Sequence, residues 1–180
     1  MELKAGDIIH FRSYSPNRYM NWYLSIQRVL DRGESNHVAV YLGNDEVLEM
    51  DFRIRKRKIK GLLQNPNIAI QRPKDYVNAT KFKQIAESYF KEHQNDLYDF
   101  AQLGLAIVQT GMEYIVSKIT KKDCVIPFID VSSFGICTEV VVEVHNANDV
   151  MLSYQSAPSP GDLLRQTGTL DIIKNFDEVM

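Results

Sequence analysis

With 180 residues, the chain is long enough for one domain with a sizeable core and too short for two ordinary ones. Hydrophobic residues make up 44% of the sequence and charged residues 24%, which is normal for a soluble globular protein. The formal net charge of -2 excludes a chain built as a whole to bind nucleic acid or a membrane surface. We therefore expect one domain over residues 1–180.

The sequence predicts neither a signal peptide nor an integral membrane segment. The N-terminus reads MELKAGDIIHF, which lacks the apolar stretch behind a positive start that marks a signal peptide. The longest apolar-rich segment, Phe100 to Ile119, is interrupted by polar and charged residues. It therefore indicates a buried helix rather than a transmembrane one.

Two cysteines are present, Cys124 and Cys137. Because the chain shows no secretory signal, we expect both to be reduced thiols rather than a disulfide. They form no CxxC pattern, and no histidine lies at ligand spacing beside either of them. The sequence therefore predicts no metal site at the cysteines.

The first half of the chain alternates β-rich runs with short polar turns. The runs HVAVYL and EVLEM are separated only by Gly43, Asn44 and Asp45, which predicts a β-hairpin. Apolar residues at helical spacing predict one amphipathic helix, at Asn17–Leu30. The meander order of the strands indicates an antiparallel sheet. The predicted strands are Gly6–Arg12, His37–Leu42, Glu46–Met50, Phe52–Lys60 and Asn67–Arg72.

The second half of the chain is mostly helical in pattern. We predict helices at Ala79–His93 and Asp99–Thr120. The segment Ile136–His145 is ambiguous, because its β-branched residues favour a strand while three of its valines would line one face of a helix. Strands first and helices after indicate an α+β fold.

A nucleophile and a base can be proposed from local sequence. Cys137 begins a run that could be helical, and a helix N-terminus offers unpaired N–H groups and a partial positive charge. Those features favour a thiolate and could hold an oxyanion. His37 opens a strand directly after a polar loop, where a side chain can face a cleft. The alternative for Cys137 is a buried structural cysteine, and His37 has a similar structural alternative.

An imidazole that acts as a base needs a partner to fix its tautomer and support its charge. Glu49 lies on the strand after His37, and pairing about the turn brings the two residues close. The alternative for Glu49 is a surface carboxylate on a sheet. Among the other histidines, His10 lies inside a hydrophobic strand and suits a position in the core.

The segments together resemble the permuted papain-fold enzymes of the NlpC-like superfamily, which include the YiiX type and the relatives of lecithin retinol acyltransferase. GDIIHF and SNHVAVYLGNDEVLEM resemble that group's GDI/V strand and SHVxIYxG segment, and CTEVVVEV resembles its CSExV helix. The pair Tyr98–Asp99 resembles a YD motif of the YiiX type, and SPGDLLRQ has a counterpart there. The chain departs from the pattern at Asn36, which separates the usual Ser and His, and at Thr138, which replaces a serine.

This resemblance implies a triad of Cys137, His37 and Glu49, with His before Cys because the fold is permuted. It also implies that Ile136–His145 is a helix and that a small antiparallel sheet or partial barrel packs on helices. The third residue is Glu in the YiiX type and His in the acyltransferase relatives, so Glu49 favours the YiiX type. Tyr98 and Asp99 are candidate substrate-binding residues, although Asp99 could simply cap the following helix.

The implied activity is that of a cysteine amidase or peptidase, acting by thiolate attack on an amide carbonyl, for example in a cell-wall-type peptide. The alternatives are a lipid acyltransferase or thioesterase, and a non-catalytic binding module of the same fold. We expect a small peptide or acyl substrate, no nucleic-acid partner, and no requirement for a metal or organic cofactor. Without a signal peptide, the expected location is cytoplasmic or phage-associated. The sequence does not indicate an oligomeric state.

The run FRIRKRKIK carries six cationic residues. One interpretation is the solvated face of an exposed strand. The other is a rim that attracts an anionic substrate, such as a carboxylated peptide or a lipid headgroup. The run is too short and has too few aromatic residues to indicate a nucleic-acid site.

Overall fold

A computed structural model provides the structure of the chain. It describes residues 2–12, 35–50, 53–75, 78–95, 112, 115–116, 118–120, 137–152, 160–165 and 168–176. The predicted helix Asn17–Leu30 and most of the predicted helix Asp99–Thr120 lie outside these residues. None of the helices in the described part of the chain is long and apolar enough to cross a bilayer.

Six antiparallel strands form one sheet in the described part of the chain. The structure is therefore α+β, as predicted, and the strands from the first half pair in antiparallel fashion as their order indicated. The sixth strand was not predicted; it comes from the C-terminal part of the chain and joins the far edge of the sheet. The strands are β1 Ile8–Phe11, β2 His37–Gly43, β3 Glu46–Met50, β4 Ile54–Lys58, β5 Ile68–Pro73 and β6 Leu170–Lys174. Their order across the sheet is β4-β3-β2-β1-β5-β6.

Three α-helices are described: α1 Ala79–His93, α2 Cys137–Asn146 and α3 Pro160–Arg165. The bounds of α1 are those predicted from its pattern. The side chain of Asn78 accepts hydrogen bonds from two backbone N–H groups of the first turn, which explains why α1 begins where it does.

The valine-rich segment that could have been a strand or a helix forms helix α2. Val140, Val141 and Val144 are fully buried and belong to one apolar cluster with strands β2 and β3. Burying these side chains against the sheet outweighs the small helix-propensity penalty of β-branched residues. The helix implied by the family resemblance is thus confirmed.

The turn between β2 and β3 sets the register of the hairpin. Asn44 and Asp45 both have positive φ angles, 55° and 60°, as a two-residue type I′ turn requires. Short polar side chains tolerate this left-handed region better than other non-glycine residues do. Gly43 precedes them with a φ of 99°, a conformation that L side chains rarely adopt. Between Gly43 and Tyr41 the register shifts by one residue, and beyond this irregularity Ala39 pairs with Glu49.

The two faces of the sheet bury two separate apolar clusters. One face packs against α1 and α2, where Phe82 and the α2 valines meet alternate residues of β1, β2 and β3. The other face carries Ile9, Ala39, Val47 and Ile70 in a smaller cluster, which Leu62 extends. Because side chains alternate along each strand, residues of one face line up across neighbouring strands.

The C-terminal end of α2 is anchored by His145, which is fully buried. Its Nδ1 lies 2.6 Å from the carbonyl oxygen of Val141 and its Nε2 lies 2.8 Å from that of Gly6. Next to Gly6, the carboxylate of Asp7 accepts two hydrogen bonds from Arg72 of β5, at 2.7 Å and 2.8 Å. These contacts tie α2 to the start of β1, and so fix the helix that begins at the candidate nucleophile.

Candidate active site

The hairpin register places His37 and Glu49 on the same face of the sheet. Glu49 pairs with Ala39, and His37 stands two residues before Ala39, so its side chain points to the same side. The Nε2 of His37 lies 3.1 Å from Oε2 of Glu49. The structure therefore brings together two of the residues that the sequence pattern singled out.

Cys137 is the first residue of α2 and has a free thiol that is 4% exposed. The thiol lies close enough to the His37 ring to raise the pKa of that imidazole. Because Glu49 is held at Nε2, Nδ1 is the ring nitrogen left for the sulfur. One imidazole thus bridges the thiol at a helix N-terminus and a carboxylate on the neighbouring strand.

The environment of His37 favours its protonated form. Burial by itself lowers the pKa of His37, but the hydrogen bonds and charges of Cys137 and Glu49 outweigh it and raise the pKa to about 9. The side chain is 20% exposed, and the ring of Phe11 lies beside it with 5.6 Å between the ring centroids. The contacts of the ring therefore stabilise the imidazolium form.

Glu49 is a carboxylate with no exposed side-chain surface. Burial by itself raises its pKa, but the hydrogen bonds from His37 and Arg57 and their charges hold the pKa of Glu49 well below its usual range. Arg57 donates from Nε to Oε1 at 2.7 Å and from Nη2 to Oε2 at 2.8 Å. Arg55 donates from Nε to Oε1 at 2.9 Å. The carboxylate is therefore ionised and surrounded by donors.

The contacts of Arg55 and Arg57 with Glu49 were missed in the sequence analysis. Their strand was interpreted either as a solvated face or as a rim for an anionic substrate, and neither interpretation included Glu49. A signal was available, because β3 and β4 are close in sequence and pair with Arg55 directly opposite Glu49. Lys56, on the other face of the same strand, instead donates to Glu87 of α1 at 2.8 Å.

Other candidates fall outside this cluster. Tyr98 and Asp99, the predicted substrate-binding pair, lie outside the described residues, as does Cys124. His10 is fully buried, with Nε2 2.7 Å from Oε1 of Gln71, and burial lowers its pKa to about 4. It is a neutral core residue, in agreement with its position in a hydrophobic strand. Within the described ranges, no three His, Cys, Asp or Glu side chains come together as ligands for a metal ion.

The arrangement has the parts that acyl transfer needs. A thiol beside an imidazolium can be present as the thiolate, which is the nucleophilic form of cysteine. The imidazolium can donate a proton to a leaving group, and a carboxylate at its other nitrogen fixes which nitrogen faces the sulfur. The first N–H groups of α2 have no partner within the helix and point toward the same end as the thiol.

Comparison of the sequence with protein-family models gives no match, and comparison with curated proteins gives none either.

Proposed function

We propose that the chain is a cysteine hydrolase that cleaves amide bonds, with Cys137 as nucleophile, His37 as acid and base, and Glu49 as the residue that orients His37. The observation that carries this proposal is the 3.1 Å contact between His37 and the buried carboxylate of Glu49, beside a thiol that starts helix α2 and raises the pKa of His37. A hairpin pair, His37 and Glu49, lies beside a cysteine from one hundred positions further along the chain, in the order that nucleophilic catalysis requires.

The proposed reaction begins with thiolate attack on the carbonyl carbon of an amide. The electron pair of the C=O bond moves to the oxygen, and N–H groups at the start of α2 stabilise this oxyanion. The oxyanion then re-forms the C=O bond as the C–N bond breaks, and His37 gives its proton to the departing amine. A thioester on Cys137 remains.

Water completes the cycle in the proposed reaction. His37, now neutral, removes a proton from a water molecule, whose oxygen attacks the thioester carbonyl. The C–S bond breaks, a carboxylic acid leaves, and the thiolate and imidazolium are restored. Glu49 keeps the same ring nitrogen facing the sulfur in both halves of the cycle.

We further propose that the domain is a permuted papain-like fold of the YiiX type, acting on a peptide or isopeptide, for example of the cell-wall type. The order of the residues supports this, because the strand with His37 precedes the helix that begins at Cys137 by one hundred positions. The identity of the third residue also supports it, since Glu49 is the residue type that the YiiX pattern has there. A lipid acyltransferase, a thioesterase and a binding module of the same fold are the alternatives.

Alkylation by iodoacetamide tests whether Cys137 is activated. In one sample, mass spectrometry quantifies the labelling of the peptides that contain Cys137 and Cys124 at a series of pH values. We expect Cys137 to be alkylated faster than Cys124, because it begins helix α2 and lies beside His37. We expect His37→Asn to remove this difference, and Cys124→Ser to leave the labelling of Cys137 unchanged.

Hydrolysis of a small library of peptides, isopeptides and acyl esters then identifies the reaction. Cleavage by the wild type and not by Cys137→Ala supports a hydrolase, and a preference for amides over esters supports the proposed class. Cleavage of esters alone indicates the thioesterase or acyltransferase alternative. If Cys137 shows no reactivity at acidic or neutral pH and the library stays intact, the chain is a binding module and the proposal is wrong.

A further inference from the structure

Two arginines contact the carboxylate that orients the proposed base. We infer that Arg55 and Arg57 are positioning residues of the reaction, which hold the Glu49 carboxylate ionised and aimed at Nε2 of His37. This inference rests on the proposed function for the role of His37, and on contacts within the described residues for the rest.

The burial of Glu49 explains why a permanent counter-charge is needed. Its side chain has no exposed surface, and a buried carboxylate without a positive partner is strongly disfavoured. His37 supplies that charge only while it is protonated, and in the proposed cycle it gives its proton away. Guanidinium groups stay charged throughout the working pH range. Arg55 and Arg57 therefore keep Glu49 ionised when His37 is neutral.

The geometry of Arg57 fixes the plane of the carboxylate. Its Nε and Nη2 reach the two different oxygens of Glu49, at 2.7 Å and 2.8 Å, and two such bonds oppose rotation of the carboxylate. Arg55 adds a bond to Oε1 at 2.9 Å, which leaves Oε2 as the oxygen that faces His37. The orientation of the imidazole, and so the direction of Nδ1 toward Cys137, depends on this fork.

The charges of Glu49, Arg55 and Arg57 indicate how Glu49 acts on His37. One carboxylate faces two guanidinium groups, so the three side chains together carry one positive charge. The arginine charges therefore offset part of the attraction that the charge of Glu49 exerts on a proton of His37. Glu49 therefore acts on His37 mainly through the directed hydrogen bond at Nε2. A substitution of Arg57 should leave the carboxylate free to rotate, so that this hydrogen bond loses its direction.

The ring of Phe11 lies beside both Arg57 and His37. Its ring centroid lies 5.7 Å from Cζ of Arg57 and 5.6 Å from the centroid of the His37 ring. The side chains of Arg55 and Arg57 are also 46% and 42% exposed, so each reaches from solvent to the buried carboxylate. Substitution of either arginine thus alters the support of Glu49 without opening the apolar core.

Proton NMR of the whole chain tests the positioning without any substrate. A proton on Nε2 that is bonded to a buried carboxylate gives a slowly exchanging signal far downfield, and its absence from the spectrum of His37→Asn assigns it. We expect this signal in the wild type and in Arg53→Gln, which removes the same charge from an exposed position just before β4. We expect it to be lost in Arg57→Gln and in Arg57→Lys, because lysine restores the charge but not the fork.

Kinetics on a cleaved library substrate give the second readout. We expect kcat of the two Arg57 variants to fall about 10- to 100-fold with KM nearly unchanged, since a misdirected base lowers the rate and not the affinity. Arg55→Gln, which leaves both bonds of Arg57, should give a smaller loss. If circular dichroism shows that the Arg57 variants do not fold, the NMR signal and kcat are measured on Arg55→Gln instead.

Three outcomes would overturn the inference. The first is a downfield signal that persists in both Arg57 variants. The second is a rise in KM alone, which would make the arginines a site for substrate. The third is a lowered melting temperature with an unchanged signal and kcat, which would make them merely structural. An unreactive wild-type Cys137 contradicts the proposed function instead, and leaves the NMR test of the arginines valid.

Discussion

Replacement of the buried carboxylate by an amide, Glu49→Gln, is the most informative test of the ion cluster. The carboxylate accepts bonds from His37, Arg55 and Arg57, and its side chain is fully buried. Glutamine retains one acceptor oxygen and presents an NH2 group to neighbours that are all donors. The substitution therefore removes the negative charge and leaves donors facing donors.

The expected loss of stability follows from the exposure of the partners. Removing one member of a buried ion pair costs about 3–5 kcal/mol. Here the arginine side chains are 46% and 42% exposed, so water can solvate part of what they lose. We therefore expect Glu49→Gln to lower the free energy of unfolding by about 2 kcal/mol, and to lower the melting temperature by about 4–8 °C for a chain of this size.

The pH dependence of this loss of stability provides a second, independent test of the buried carboxylate. The pKa of Glu49 is held well below its usual range in the fold, so its stabilising contribution is present above the usual value of about 4.3. That contribution disappears as the pH falls through the lowered pKa. The difference in stability between the wild type and Glu49→Gln should therefore be full at neutral pH and shrink in acid.

Thermal unfolding followed by circular dichroism, at a series of pH values, measures both effects. Glu46→Gln is the matched control, because it makes the same substitution on the same strand at a half-buried position beside the turn. We expect little change from the control. Equal melting temperatures of Glu49→Gln and wild type at neutral pH, or a difference that does not shrink in acid, would refute the described role of the buried carboxylate.

Two further predictions concern the histidines. Because the pKa of His37 is raised to about 9, its contribution to stability is complete below the ordinary value of about 6.5 and is lost as the pH rises through about 9. A plot of kcat/KM against pH should accordingly fall with a midpoint near 9, and a midpoint near 6.5 would contradict the cluster. Substitution of the fully buried His145 by alanine should cost about 2–4 kcal/mol in urea unfolding, because it leaves a cavity and removes the side-chain contacts that link α2 to the backbone of Gly6. A loss below about 0.5 kcal/mol would show that His145 does not anchor α2.

Much of the fold could be predicted from local patterns. The bounds of α1 and the hairpin at Asn44 and Asp45 follow from periodicity and turn chemistry, which act between residues that are close in the chain. The proximity of His37 and Glu49 needs more than this turn, because the register shifts by one residue between Tyr41 and Gly43 and so moves Glu49 onto the face of His37.

Other features depended on contacts between distant segments. Strand β6 forms only because β5 offers it an edge, and its short sequence LDIIK has no strong pattern of its own. Helix α2 carries β-branched residues that favour a strand, and becomes helical where its valines meet the sheet. For this segment, propensity alone did not distinguish a strand from a helix, and the resemblance to a known enzyme pattern indicated the helix.

The candidate site likewise combines features that local sequence predicts with features that depend on contacts between distant segments. The sequence by itself determined the residue types, and the hairpin between His37 and Glu49. Only the tertiary structure decided that the thiol of Cys137 meets the ring of His37, and that Arg55 and Arg57 turn onto Glu49. The physical reason is that a charge on a strand can face either solvent or a partner, and that choice depends on whether a buried opposite charge lies within reach. Here the buried carboxylate lies one strand away, and the arginines pair with it.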